Sequence, residues 1–97
     1  MRVITRQKLS QFWEKHTDAE DALKAWLQEA EHAKWKTPAD IKARFRTADF
    51  LSNNRVVFNI KGNHYRLIVQ IHYNTQIVYI RFVGSHKDYE KIDAEKI

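Results

Sequence analysis

Cysteine is absent from the 97-residue chain, which excludes disulfides, thiolate metal sites and cysteine nucleophiles. Glycine occurs twice and proline once, too sparsely for a linker, a low-complexity tract or an internal repeat. Apolar runs are only a handful of residues long, well short of a membrane span. The opening residues, Met1-Arg2-Val3-Ile4-Thr5-Arg6, lack the apolar stretch and cleavage site of a signal peptide. The expectation is a cytoplasmic protein with no membrane partner. HExxH, the P-loop and GxGxxG are also missing. Acidic residues are missing from one stretch in particular: none occurs between Asp49 and Asp88.

What is present suits one domain over residues 1–97, α+β in class. Hydrophobic residues make up 43 % and charged residues 30 % of the chain, an ordinary mix for a globular domain. The net charge of +5 is unevenly spread. Residues 1–35 balance six basic against six acidic side chains, whereas residues 36–87 carry nine Lys or Arg against Asp40 and Asp49 alone. Arg55, Lys61, Arg66, Arg81 and Lys87 all fall in the stretch without carboxylates. A field of one sign confined to one segment attracts polyanions.

Helical spacing governs the front half. Leu9, Phe12, Trp13 and His16 recur on one stripe, as do Ala19, Ala22, Leu23, Trp26, Leu27, Ala30 and Ala33. Trp13, Trp26 and Trp35 fall on or near that stripe, so they belong to the core. Thr17-Asp18-Ala19-Glu20 has the form of a capping box. Thr37-Pro38 marks the start of a third helix running through Ile41 to about Phe45. Val3 and Ile4 suit a short opening strand.

Alternation governs the back half. Arg55 to Ile60 places Val56, Phe58 and Ile60 on one side. Lys61-Gly62-Asn63 is a turn signal, followed by a strand from His64 to Tyr73. Asn74-Thr75 turns the chain into a strand from Gln76 to Val83, and His86 to Ile92 suits a short helix. The expected architecture is N-terminal helices packed on a small antiparallel β-sheet. Parity sets Tyr65, Leu67, Val69, Ile71 and Tyr73 against the helices, with Val78, Ile80 and Phe82. His64, Arg66, Ile68, Gln70 and His72 then face away from the helices, with Ile77, Tyr79, Arg81 and Val83. If the turn is tight, paired positions sum to about 149 or 150, making Arg66 and Arg81 diagonal neighbours. Two guanidiniums without a carboxylate suit a phosphate between them.

The runs FNIKGNHYRL (Phe58 to Leu67) and IRFVGSHKDYEKID (Ile80 to Asp93) resemble the HigB toxins of the RelE-like superfamily. The detailed likeness spans residues 53–93, while the helical front half agrees in layout. The resemblance implies a RelE-like, microbial-ribonuclease-type fold and an endonuclease acting on mRNA in the ribosomal A site. It implies a helix-turn-helix, HigA-like antitoxin encoded beside the toxin, with DNA reached only through that antitoxin. It assigns function to Arg66, Arg81, His86 and Tyr89, with Lys61 and Lys87 matching less closely. Ser85 stands where members often have threonine.

Metal-free RNA cleavage through the 2′-hydroxyl needs a base, cationic stabilisation of the phosphorane and an acid for the leaving oxygen. His86 suits acid or base work near pH 7, and Arg66 and Arg81 suit the phosphorane. Tyr89, three residues after His86, shares its face on a helical turn and can stack on a base or bond the phosphate. Lys61, His64, Tyr79 and Lys87 are further RNA-binding candidates, Tyr79 because parity puts it on the basic face. No metal or cofactor is expected. His64 and His72 lie about 26 Å apart at strand rise, too far to share a metal. Ser85, His86 and Asp88 are too close in sequence for a triad, whose members converge from separate elements. The alternatives are a non-catalytic RNA-binding domain or a protein-interaction module with a basic sheet face.

Overall fold

Strands formed by the alternating back half need one face covered, and the apolar stripes of the front half supply the cover. The computed structural model describes residues 1–97. In chain order it runs β1 (Arg2–Ile4), α1 (Gln7–Lys15), a 3₁₀ turn (Thr17–Ala19), α2 (Glu20–His32) and α3 (Pro38–Arg44), followed by β2 (Asp49–Leu51), β3 (Arg55–Ile60), β4 (Tyr65–His72), β5 (Ile77–Ser85) and α4 (His86–Tyr89). The class is α+β, as expected. Strand order is β1-β5-β4-β3-β2. The meander from β2 to β5 is antiparallel, and β1 adds to the outer edge parallel to β5, so the five-stranded sheet is mixed.

One face of this sheet meets the helices. Leu9, Leu23, Trp26, Leu27, Ala30 and Ile41 pack against Val56, Phe58, Ile60, Leu67, Val69, Ile71, Val78 and Ile80 in a single buried cluster. Phe58 sits at its aromatic centre, with ring centroids 5.3 Å from Trp26 and 5.0 Å from Phe45. Trp26 and Trp35 are buried and Trp13 packs at the cluster's margin, as the apolar stripe required.

Helix starts divide between the expected and the revised. Asp40 accepts the backbone N–H groups of Lys36 and Thr37 at 2.9 and 3.2 Å, starting α3 at Pro38. The box expected at Thr17 does not form. Thr17–Ala19 is a 3₁₀ turn, and α2 begins without a side-chain cap. Glu20 instead pairs with Lys24 at 2.5 Å. Neighbouring Asp18 accepts from the Tyr65 hydroxyl at 2.5 Å and from Lys61 at 3.0 Å. These contacts, with the Tyr65 bond the larger influence, hold the Asp18 carboxyl below the usual aspartate range. They tie the start of α2 to β4.

A depressed folded-state pKa stabilises above the unfolded value, and the contribution is lost as pH falls through the folded one. Acidification below about pH 4 is therefore expected to lower the melting temperature more steeply in the wild type than in Asp18→Asn. Melting curves across that pH range check it, and parallel curves would contradict it.

The β4–β5 ladder carries the main departure from simple alternation. Tyr65 to Ile68 pair with Ser85 to Phe82, and Val69 to His72 pair with Ile80 to Ile77, which leaves Arg81 unpaired in a bulge. An extra residue reverses parity beyond it. Phe82, expected with the core set, instead lies opposite Ile68 on the other face, and Val83 turns to the helix side and packs at the core margin. Phe82 crosses directly over Gly84, where a Cβ would lie 2.6 Å from its Cζ, so any larger residue there would have to displace the Phe82 ring.

The second face is not bare. Val57 and Ile68 are buried there, outside the cluster beneath the helices. Beyond α4, which is shorter than the expected helix to Ile92, the chain returns across this face. The Glu95 carboxylate accepts the Ser52 hydroxyl, and the Ile97 oxygen lies between Arg55 and Arg81.

Candidate functional site

Arg66 projects from β4 at the end of the sheet where β5 passes into α4. Its backbone lies opposite Asn59 on one side and Gly84 on the other. The side chain is only 9 % exposed, yet no carboxylate pairs with it. It donates to the Asn63 carbonyl at 3.0 Å, the Asn63 side-chain oxygen at 3.2 Å and the Tyr65 carbonyl at 3.4 Å. The turn between β3 and β4, with Lys61 and Gly62 at φ +51° and +64°, brings Asn63 back to support it. The guanidinium lies 5.9 Å from the Tyr89 ring centroid, within cation–π range. Arg66 is thus aimed and held by neutral groups, leaving its charge uncompensated.

His86 opens α4 immediately beyond. Ser85 caps the helix by accepting the Asp88 N–H at 3.1 Å. The His86 N–H donates to the His64 carbonyl at 3.2 Å, fixing α4 to the start of β4. The imidazole is exposed, and its Nε2 lies 2.8 Å from a Glu90 oxygen. Arg66, His86, Tyr89 and His64 are therefore brought to one end of the sheet.

Arg81 is not beside Arg66. Gly84 is the residue directly opposite Arg66, and Arg81 lies three positions back along β5, roughly 10 Å at strand rise. The bulge releases Arg81 from the ladder, and its Nε donates to the Ile97 oxygen at 3.2 Å. The remaining candidates are dispersed. Lys61 pairs with Asp18 at 3.0 Å, so its charge is compensated. His64 places Nδ1 3.0 Å from the Lys61 carbonyl. Tyr79 packs edge-on against His72 at 5.2 Å, on the second face. Lys87 is exposed on α4.

The family model described as HigB_toxin, RelE-like toxic component of a toxin-antitoxin system, matches residues 19–92. The chain belongs to the HigB toxin family. Over 96 residues it is 30 % identical to the mRNA interferase toxin HigB of Escherichia coli K12, covering 97 % of this chain and 92 % of that protein. The mRNA interferase HigB proteins of Escherichia coli O157:H7 and Shigella flexneri match with the same identity and coverage. The family match runs from the 3₁₀ turn to just past α4, enclosing both arginines, His86 and Tyr89. A HigB toxin is the toxic half of a toxin–antitoxin pair, so a cognate antitoxin is its partner.

Two residues that touch the candidate site of this HigB chain escaped the sequence reading. Asn63 passed as a turn residue, and its role in orienting Arg66 depends on how the turn closes. Arg55 passed as one more basic residue. Its parity opposite Val56, Phe58 and Ile60 was the available signal, because it places Arg55 on the face of Arg66 and Arg81. Arg55 is 7 % exposed and its Nε and Nη2 reach the Ile97 oxygen at 3.2 and 2.6 Å.

Proposed function

We infer that this HigB toxin is an mRNA interferase, an endoribonuclease that stops translation by cutting messages. The observation that carries the reading is the buried Arg66 with no carboxylate partner, facing Tyr89 at the end of the sheet where α4 carries the exposed His86. An uncompensated guanidinium and an imidazole at the same end of the sheet supply what phosphodiester cleavage needs: an anion holder and a proton carrier.

In this reading the RNA 2′-hydroxyl attacks the adjacent phosphorus, and the 5′-oxygen leaves. Arg66 stabilises the charge that grows on the phosphorane. His86 moves a proton as general base or acid. Tyr89 stacks on a base or bonds the phosphate, and Arg81 grips the strand farther along the sheet. His64, Lys87 and Tyr79 contact the flanking RNA. Lys61 contributes once it exchanges Asp18 for phosphate. No metal or cofactor takes part.

With His86 alone in an acid–base role the chemistry is sparse, which suits a substrate presented by the ribosome, namely mRNA in the A site. The whole of residues 1–97 acts as one cytoplasmic domain. Its antitoxin is of the helix-turn-helix, HigA-like kind, and contact with DNA runs through that partner alone. No helix of the chain is long and apolar enough to cross a membrane.

Expression of the wild type from a tight promoter, beside Arg81→Ala, with message 5′ ends mapped, tests this. Growth arrest with in-frame cuts in translated messages is expected, weakened at least ~10-fold in the variant, as for loss of a charged hydrogen bond. Normal growth and intact messages with soluble wild-type protein would leave a non-catalytic RNA-binding face instead.

A further inference from the structure

We propose that Arg55 and Arg81 form a second phosphate clamp for the RNA backbone, capped in the free toxin by the C-terminal residues 93–97. The inference rests on the RNA-cleaving reading above and adds to it a binding residue, Arg55, and an occupant that competes with substrate.

Two permanently charged side chains from different strands converge on one oxygen. Arg55 of β3 donates to the Ile97 oxygen through Nε at 3.2 Å and Nη2 at 2.6 Å, and Arg81 of β5 donates to it through Nε at 3.2 Å. β4 lies between them, with Gln70 directly opposite Arg55 and the bulge at Arg81 on its other side. No Asp or Glu side chain pairs with either arginine, although Arg55 is only 7 % exposed. Removing a guanidinium from water calls for an anion beside it, and the Ile97 oxygen takes that place here. A phosphate oxygen of the RNA backbone accepts the same donors in the same geometry. Roughly 10 Å separates this pair from Arg66 along the strands, so the clamp takes a phosphate other than the one beside His86.

The cap carries its own reason to leave. It is fastened by the Ser52 hydroxyl on the Glu95 carboxylate. A local turn, in which the Asp93 carbonyl accepts from Lys96 and Ile97 at 3.0 Å each, shapes its end. Asp93 and Glu95 therefore sit where the RNA backbone would run, and like charges exclude one another. RNA and cap cannot share Arg55. Apparent RNA affinity is lowered by the fraction of molecules whose cap is closed.

The test titrates a short single-stranded RNA, 2′-O-methylated throughout so that it cannot be cut, into the full-length protein at several salt concentrations. Arg55→Gln is expected to weaken binding about 10-fold or more and to reduce the slope of log affinity against log salt by about 0.7. Ser52→Ala, which unfastens the cap without changing charge, is expected to tighten binding by about 2- to 5-fold. That gain should vanish in the Arg55→Gln background. Arg55→Lys keeps the charge but loses the fork, so weaker binding with the slope retained is expected; it serves if Arg55→Gln fails to fold. Folded Arg55 variants that bind with wild-type affinity and slope overturn the clamp. A Ser52→Ala effect that persists without Arg55 overturns the cap. Wild type that binds this RNA but cuts no message in cells removes the interferase reading and leaves the clamp standing, and wild type that does not bind it overturns the clamp while message cleavage in cells decides the interferase reading separately.

Discussion

Replacing His86 with alanine is expected to end growth arrest and slow message cleavage by ~10²–10⁴-fold, the range for losing a general acid or base. That corresponds to about 2.7–5.4 kcal/mol on the barrier. The fold should not change. The imidazole is 52 % exposed, and Glu90 is the partner of its Nε2, at 2.8 Å. The bonds that build this end of the domain use the His86 backbone N–H and the Ser85 hydroxyl, which alanine at position 86 leaves intact. Substitution of an exposed side chain away from the core shifts stability by about 0.5 kcal/mol or less. The contact with Glu90 is exposed, and such surface contacts are worth under about 1 kcal/mol, so substrate can displace it. Measured message cleavage and a melting curve decide the matter together. A folded variant that still arrests growth at wild-type protein levels would transfer the proton-carrying role to another group.

Much of this arrangement is legible in the sequence because it follows from local pattern. Alternation from Tyr65 to Ile71 separates a buried set from one containing Arg66, and β4 follows it. Pro38 after Thr37, with Asp40 behind them, starts α3 by short-range bonds alone. What is not legible depends on partners far along the chain. Asp49–Leu51 is too short to alternate and becomes a strand by pairing with β3. The Thr17 box fails because Asp18 is engaged by Tyr65 and Lys61, 47 and 43 residues away. The bulge has no local mark, since Val78 to Val83 reads equally well as continuous alternation. Yet the bulge moves Phe82 across Gly84 and frees Arg81 to face Arg55. The candidates Arg66, Arg81, His86 and Tyr89 could be named from sequence, but Arg55 and the division into an Arg66–His86–Tyr89 end and an Arg55–Arg81 middle could not.

Phe58→Ala is expected to have the largest effect on stability, for reasons separate from chemistry. The side chain is 1 % exposed and lies edge-on to Trp26 and Phe45, with the Trp35 ring stacked 6.4 Å away. It therefore joins α2, the segment leading to α3 and the end of α3 to the middle of β3. Truncating a buried phenylalanine costs about 3–5 kcal/mol through lost burial and the cavity left behind. Domains of this size have only about 5–15 kcal/mol in all. At about 4–8 °C per kcal/mol, the melting temperature should fall by at least about 12 °C. Phe58→Leu, which retains most of the apolar volume, should fall by much less. The contrast with His86 is the informative part. Growth arrest lost with a collapsed melting temperature reports the scaffold, whereas arrest lost with the melting temperature intact reports the chemistry. If Phe58→Ala melted within a few degrees of the wild type, the aromatic cluster would not be what holds the helices over the sheet, and the placement of Arg66 and His86 would need another support.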